Sequence, residues 1–102
     1  MTTLIVLFNL KSGVTAAVYE NWARATDIPT AGALPSVDCF EVLRSLSMLG
    51  SDAAPPYQYV ERLEINDMGQ LGQDIGTAAM QKVSAQFQAF ADNPLFIVTE
   101  KI

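Results

Sequence analysis

The order of apolar segments is the feature that most constrains how this chain can fold. β-branched and apolar runs predict strands, and three- to four-residue apolar spacing predicts helices. The predicted elements are, in chain order, a strand over residues 2–10, a helix over 16–26, and strands over 37–46 and 57–65. A short, weak helical segment after Asn66-Asp67, a helix that follows Thr77 and ends at Asn93-Pro94, and a strand over 95–102 complete the chain. This β-α-β-β-α-β order is the split βαβ unit, so we expect an α+β fold of the ferredoxin-like class.

Each predicted helix has an apolar side that should face the sheet. The second helix has the clearer stripe, Met80, Val83, Phe87 and Phe90, which we expect to be core. In the first helix, Val18, Trp22 and Ala25 are expected on one face, after an N-cap at Thr15. Two helices cover only one face of a sheet, so the other face needs a partner.

The amino-acid composition limits the kinds of molecule that the chain is expected to bind. A length of 102 residues predicts one domain, 1–102, and only 17% of the residues are charged, against roughly 25% in typical soluble domains. The exposed apolar surface that follows predicts a homodimer. A net charge of −5 argues against binding to nucleic acid or to a membrane surface.

The absence of histidine and the single cysteine limit the chemistry. No intrachain disulfide can form from Cys39 alone, which fits a reducing cytoplasm. Zinc and haem sites lose their commonest ligand when histidine is absent. We therefore expect no metal and no cofactor, and chemistry that depends on carboxylates, arginine, tyrosine or bound water.

Residues 19–44 concentrate aromatic and ionisable groups where the first helix leads into the second strand. Pro29 disfavours helical geometry at Ile28, so the helix should end or kink at Asp27-Ile28-Pro29. At such a corner desolvation would raise the pKa of Asp27 into a useful acid–base range, which makes it a candidate catalytic residue. The alternative is a capping or turn carboxylate.

Aromatic residues near this corner are candidates for substrate binding. Tyr19 and Trp22 could form a wall for a flat ligand and orient its polar atoms. Tyr57 and Tyr59 share a strand face and could line the mouth of a pocket. For all four residues, the alternative is ordinary packing of the core or of a strand.

Two arginines in the predicted strands require partners. Arg44 is a candidate catalytic residue that needs a carboxylate from elsewhere or an anionic substrate group. Arg62 on the neighbouring strand is a candidate for substrate binding. The alternative for both is a cross-strand ion pair at a dimer interface, with carboxylate partners Glu41, Glu61 or Glu64.

Two stretches of the sequence resemble a known family. Phe8-Asn9-Leu10-Lys11-Ser12-Gly13-Val14, followed by an aromatic-rich helix, resembles the dimeric α+β barrel superfamily. The run YENWARATDIPTAGALPSVDCFEVLRS, with its Tyr-x-x-Trp-x-Arg-x-x-Asp-x-Pro pattern, is similar to the RedY-like (HapK) family. The resemblance implies a small dimeric protein of prodigiosin-type pyrrole and indole pigment pathways, which assists condensation or cyclisation of an aromatic heterocyclic intermediate.

The resemblance leaves two other functions open. Some relatives use a histidine as the acid, and this chain has none. The superfamily also holds cofactor-free monooxygenases that use Asn and Trp, for which Asn9 and Trp22 are candidates near oxygen and substrate. A third interpretation is a non-catalytic dimeric protein that binds a small aromatic ligand.

Overall fold

The computed structural model describes all residues of the chain, 1–102. Its strands are β1 (Thr2–Leu10), β2 (Val37–Arg44), β3 (Tyr59–Ile65) and β4 (Ala91–Glu100). Its helices are α1 (Ala16–Trp22), a π-helical turn (Ala23–Asp27), α2 (Ile28–Ala31), α3 (Met68–Asp74) and α4 (Ala78–Phe90). The predicted order of strands and helices is confirmed, including the short helix α3, which is capped by Asp67. No helix has the length and apolar character needed to cross a membrane.

The four strands form one antiparallel sheet in the order β2-β3-β1-β4. The helices cover one face of this sheet, which we call the covered face. The other face, called here the open face, has no helix against it. The fold is therefore ferredoxin-like α+β, as the element order predicts.

The core lies between the covered face and the helices. Val6 and Phe8 of β1 pack there with Tyr59 and Ile65 of β3. The helix α4 contributes Met80, Val83 and Phe87, all buried, and Phe90 packs against them in part. The predicted stripe of this helix is thus core, and Thr77 caps its N-terminus by accepting a hydrogen bond from the Met80 N–H.

The first helix does not end at Asp27-Ile28-Pro29, which was one of the two predicted outcomes. It continues to Ala31 through the π-helical turn, in which the Ile28 N–H donates to the carbonyl five residues back, Ala23 O. Pro29 lacks an N–H, and its ring would clash with the carbonyl four residues earlier in an α-helix. The wider π turn relieves that clash, so proline changes the winding of this helix instead of ending it.

The buried face of this helix also differs from the prediction. Val18 is 54% exposed and Ala25 is exposed. Every fourth residue faces the core: Tyr19, Ala23, Asp27 and Ala31 are all buried. In a regular α-helix, steps of four residues drift by about 40° each. The π turn reduces this drift and keeps the later residues on the same side as the earlier ones.

Several boundaries of these elements were predicted incorrectly. Strand β2 ends at Arg44 and β3 begins at Tyr59, because the chain between them turns earlier than the apolar pattern indicates. Helix α4 ends at Phe90, because Ala91 already pairs with Leu10 of β1. A register shift between Val37 and Cys39 turns Val37 toward the helices, where it is buried.

Candidate functional site

A cavity of about 280 Å³ lies between the covered face and the helices. Its walls are mostly apolar, with contributions from all four strands and from α2, α3 and α4. Two lining residues, Ile75 and Phe96, are about half exposed and mark its opening. The cavity is close to the lower end of the roughly 300–1,000 Å³ range of ligand sites, so it suits a small molecule.

Glu61 is the carboxylic acid in the floor of this cavity. It lies on β3 between Tyr59 and Leu63, in the alternating row that faces the helices, and is only 6% exposed. Burial, followed by the nearby Asp27 charge, raises the pKa of Glu61 to about 8. The Tyr19 hydroxyl donates a hydrogen bond to Glu61 Oε2 over 3.4 Å, which opposes that shift.

Asp27 is the second carboxylic acid of the cavity, at the end of the π turn. It is 5% exposed, and burial alone raises its pKa to about 6. No hydrogen bond or ion pair compensates the desolvation of this carboxyl group. The shift has the direction that the sequence predicts, although its physical setting is the interior of a continuous helix instead of a corner.

Asp27 and Glu61 together form what we call the carboxyl pair. Their pKa values are separated by environment, so near neutral pH one proton is held mainly on Glu61 while Asp27 is ionised. The site therefore offers an acid and a base in one apolar cavity without histidine.

Tyr19 supports this pair from α1. It is fully buried, stacks edge-on against Phe8, and lies beside Tyr59. Burial, and next the Glu61 carboxyl, raise the pKa of Tyr19 far above its ordinary value. Tyr19 thus stays a neutral hydrogen-bond donor that orients Glu61.

A second cluster of polar side chains surrounds Glu20 of α1, where this helix approaches the end of β2 and the start of β3. Arg44 Nε donates to Glu20 Oε2 over 2.8 Å, and the Tyr59 hydroxyl donates to the same oxygen over 2.7 Å. These bonds hold the pKa of Glu20 down at about 2. Arg24 adds an ion pair at 3.3 Å. The cluster borders a smaller pocket of about 110 Å³ and ties α1 to the sheet.

The structure separates several candidate residues from the carboxyl pair. Arg44 is about half exposed and lines the smaller pocket, and its missing partner is Glu20. Trp22 donates its Nε1–H to Gln86 Oε1 over 2.9 Å and packs on Phe90, outside the lining of the large cavity.

Three further candidates lie at other places in the fold. The Asn9 side chain donates to Pro56 O and accepts from the Gln58 N–H, so it fastens the loop before β3. Tyr57 precedes β3 and lines neither pocket. Arg62 is on the open face, ion-paired across strands with Glu41 of β2 and along its own strand with Glu64. Asn9 and Trp22, the pair of the monooxygenase interpretation, are therefore both engaged in hydrogen bonds within the protein.

Glu20 and Glu61 were not singled out as site residues from the sequence. A signal for Glu61 was present, since it alternates with Tyr59 and Leu63 on one strand face, and a carboxylate in an apolar row requires a reason. The local signal for Glu20 is only its i, i+4 spacing to Arg24, because the partners that shift its pKa most, Arg44 and Tyr59, come from β2 and β3, 24 and 39 residues away.

Replacing Pro29 with alanine tests whether the π turn directs Asp27 into the cavity. Alanine supplies the missing N–H and removes the ring clash, so the turn should relax toward α-helical geometry. A change of one residue in winding rotates a side chain by about 100°. We expect the pKa of Asp27 to fall from about 6 toward its ordinary value, as measured by carboxyl ¹³C NMR.

Pro35→Ala is the matched control, because Pro35 is exposed in the loop before β2 and interacts through its carbonyl, which alanine retains. This variant should leave the Asp27 titration unchanged. An unchanged Asp27 pKa in the Pro29 variant would show that the π turn does not depend on proline.

Comparison with known proteins places these features in context. A family model described as REDY-like protein HapK matches residues 2–102. The crystal structure of HapK from Hahella chejuensis is 30% identical to this chain, covers 100% of it and 93% of that chain, and superimposes with a TM-score of 0.79. Comparison with curated proteins finds no match.

Two more distant structures share the fold. A DABB family protein with a ferredoxin-like fold from Mesorhizobium loti is 17% identical, with a TM-score of 0.76 and coverage of 99% of this chain and 96% of that one. A dimeric ferredoxin-like protein of unknown function from Thermobifida fusca is 14% identical, with a TM-score of 0.78 and coverage of 98% and 90%. At these identities the likeness concerns the fold alone.

Proposed function

Because the chain belongs to the REDY-like HapK family, we propose that it is an enzyme that transfers protons while a small aromatic intermediate condenses or cyclises. The proposed intermediate is of the kind found in pyrrole and indole pigment pathways. The observation that carries the proposal is the carboxyl pair, two acids with separated pKa values in an apolar cavity. No cofactor takes part in the proposed reaction.

The chemistry of a condensation matches the two states of the pair. Addition of an electron-rich pyrrole carbon to an aldehyde needs a proton delivered to the carbonyl oxygen and a proton removed from the pyrrole ring. Protonated Glu61 supplies the first proton and ionised Asp27 accepts the second, so the pair loses and gains one proton in each addition. Protonated Asp27 then gives its proton to the hydroxyl group of the adduct, which leaves as water, and ionised Glu61 accepts the N–H proton of the pyrrole ring. The new carbon–carbon double bond is thereby completed and the pair returns to its starting state. Holding both reactants in one cavity lowers the barrier further.

The surroundings of the pair serve this role. Tyr19 orients Glu61 through its hydroxyl, and the apolar walls formed by Leu63, Phe87 and neighbouring side chains exclude water. In the proposal, Arg44 does not contact the reacting atoms. It pairs with Glu20 and so fixes the position of α1 over the sheet. Because Tyr19 is on α1, the same pair also fixes the position of Tyr19.

We also propose that the protein acts as a homodimer through the open face. Leu43, Leu95 and Ile97 are each more than 40% exposed there, around the Arg62 ion pairs. The accessible surface of 6346 Å² exceeds the roughly 5,700 Å² expected for a folded monomer of this mass. The Thermobifida protein of the same fold is described as dimeric, which supports this arrangement.

The pH dependence of turnover tests the proposed function. The reactive state has Asp27 ionised and Glu61 protonated, so the rate should rise as pH passes about 6 and fall as pH passes about 8. A suitable assay follows the visible absorbance formed when a pyrrole-2-carbaldehyde condenses with an α-unsubstituted pyrrole. A ligand that binds without any turnover would favour the non-catalytic interpretation and contradict the proposal.

A further inference from the structure

The large cavity carries negative charge without any positive residue to balance it. Its only charged lining residues are Asp27 and Glu61, and no lysine or arginine reaches its wall. The three arginines are committed elsewhere: Arg24 and Arg44 contact Glu20, and Arg62 contacts Glu41 and Glu64. When one of the two carboxyl groups is ionised, the apolar cavity holds one negative charge.

Asp27 shows most clearly that no positive group of the protein balances the charge of the cavity. Its side chain is 95% buried yet has no hydrogen-bond or ion-pair partner, and it lines the cavity. An ionised carboxylate in an apolar setting is costly unless a partner of opposite charge or a hydrogen-bond donor is supplied. The Tyr19 hydroxyl is bound to Glu61, and the polar lining residues Ser84 and Gln88 make no hydrogen bond to Asp27. A ligand with a hydrogen-bond donor or a positive charge would supply the partner that Asp27 does not have within the protein.

The rest of the lining defines the body of that ligand. Phe40, Phe87 and Phe96 contribute aromatic surface, and Leu63 and Met80 contribute aliphatic and thioether surface. Aromatic faces attract cations as well as flat rings. Such a chamber accepts a ring system with its charge placed at one end, facing the carboxyl pair.

We infer that the cavity selects small aromatic ligands that carry a positive charge on nitrogen, such as an amidinium or a protonated imine, over neutral and anionic ligands of the same shape. The ligand nitrogen donates a hydrogen bond to Asp27 and supplies the missing counter-charge. This inference rests on the proposed function, since it assigns a ligand class to the same carboxyl pair. In that function, the cation resembles the protonated intermediate that forms when an aldehyde condenses with a pyrrole.

Three probes of nearly equal size and shape test the charge preference. Benzamidine is cationic, benzamide is neutral and benzoate is anionic near neutral pH. Isothermal titration calorimetry with the full chain should give benzamidine an affinity at least about tenfold higher than benzamide. Benzoate should show no binding. Amide NMR shifts caused by benzamidine should map to the cavity wall, at Leu63, Met80 and Phe87.

Paired variants separate the cavity from the acidic surface. Asp27→Asn/Glu61→Gln removes the cavity charge and should reduce the preference for benzamidine over benzamide to about twofold or less. Asp52→Asn/Glu100→Gln removes the same number of carboxylates from exposed positions and should keep the full preference. Equal affinity for benzamidine and benzamide, no benzamidine binding, or a preference that survives in the first double variant would each overturn the inference.

A carboxyl ¹³C titration of the same samples distinguishes this inference from the proposed function. Raised pKa values for Asp27 and Glu61 without a preference for cations would overturn the ligand class and leave the acid–base pair intact. Ordinary pKa values for both groups would instead contradict the proposed function itself.

Discussion

Replacing Glu61 with glutamine should lower turnover by about 10²- to 10³-fold, while the melting temperature stays equal or rises. Glutamine keeps the shape of the side chain and its hydrogen bond with Tyr19, but it cannot deliver a proton. Loss of a positioned general acid typically costs about 10²–10⁴ in rate. Stability should not suffer, because the substitution removes a carboxyl group whose ionisation is disfavoured by burial.

Asp27→Asn should have an effect of similar size, since it removes the base of the same pair. The double variant Asp27→Asn/Glu61→Gln should be scarcely slower than either single variant, because residues that act as a unit are not additive. Glu100→Gln, at an exposed position on β4, is the matched control and should retain wild-type turnover. Wild-type turnover in Glu61→Gln would show that the cavity acid has no part in the reaction.

The second large effect concerns stability as a function of pH. Both members of the carboxyl pair have folded-state pKa values raised above their ordinary values, Asp27 to about 6 and Glu61 to about 8. The folded state therefore binds protons more tightly than the unfolded state, and stability must fall as pH rises through these values. Between about pH 5 and pH 9 we expect the free energy of unfolding to fall by roughly 3–5 kcal/mol.

Glu20 acts in the opposite direction at lower pH. Its pKa is held at about 2 by Arg44 and Tyr59, so it contributes stability that is lost as pH falls from its ordinary pKa toward 2. The two trends together place maximum stability near about pH 4 to 5, which is acidic for a protein domain. Urea unfolding across the pH range measures this curve.

Two double variants test whether the carboxyl groups of the cavity cause the loss of stability at alkaline pH. Asp27→Asn/Glu61→Gln should give a nearly flat stability curve above about pH 5, whereas Asp52→Asn/Glu100→Gln should keep the wild-type decline. A decline of the same size in both double variants would mean that the cavity acids titrate normally.

The fold could be predicted from the sequence because its signals are local. Strand runs, the cap at Thr15, and the stripe from Met80 to Phe87 each depend on a few neighbouring residues. The π turn could not be predicted in this way. Proline usually ends a helix, whereas this helix continues past Pro29 with Tyr19, Ala23 and Ala31 all buried by residues that are distant in the sequence.

Only the part of the candidate site that depends on local signals could be predicted from the sequence. Asp27 was singled out from its position beside Pro29, and its burial follows from the winding of one helix. The pairing with Glu61 joins residues 34 positions apart in the sequence, which no local pattern reports. Arg44 was expected near the chemistry because it lacks a local partner. Its partner, Glu20, is again supplied by tertiary contact.

A carboxyl ¹³C NMR titration of the wild-type protein tests most directly whether Asp27 and Glu61 form an acid–base pair in the cavity. The carboxyl pair predicts apparent pKa values near 6 for Asp27 and near 8 for Glu61. Asp27→Asn should lower the Glu61 value, because the neighbouring charge contributes to it. Ordinary values near about 4 for both groups would contradict the existence of an acid–base pair in this cavity.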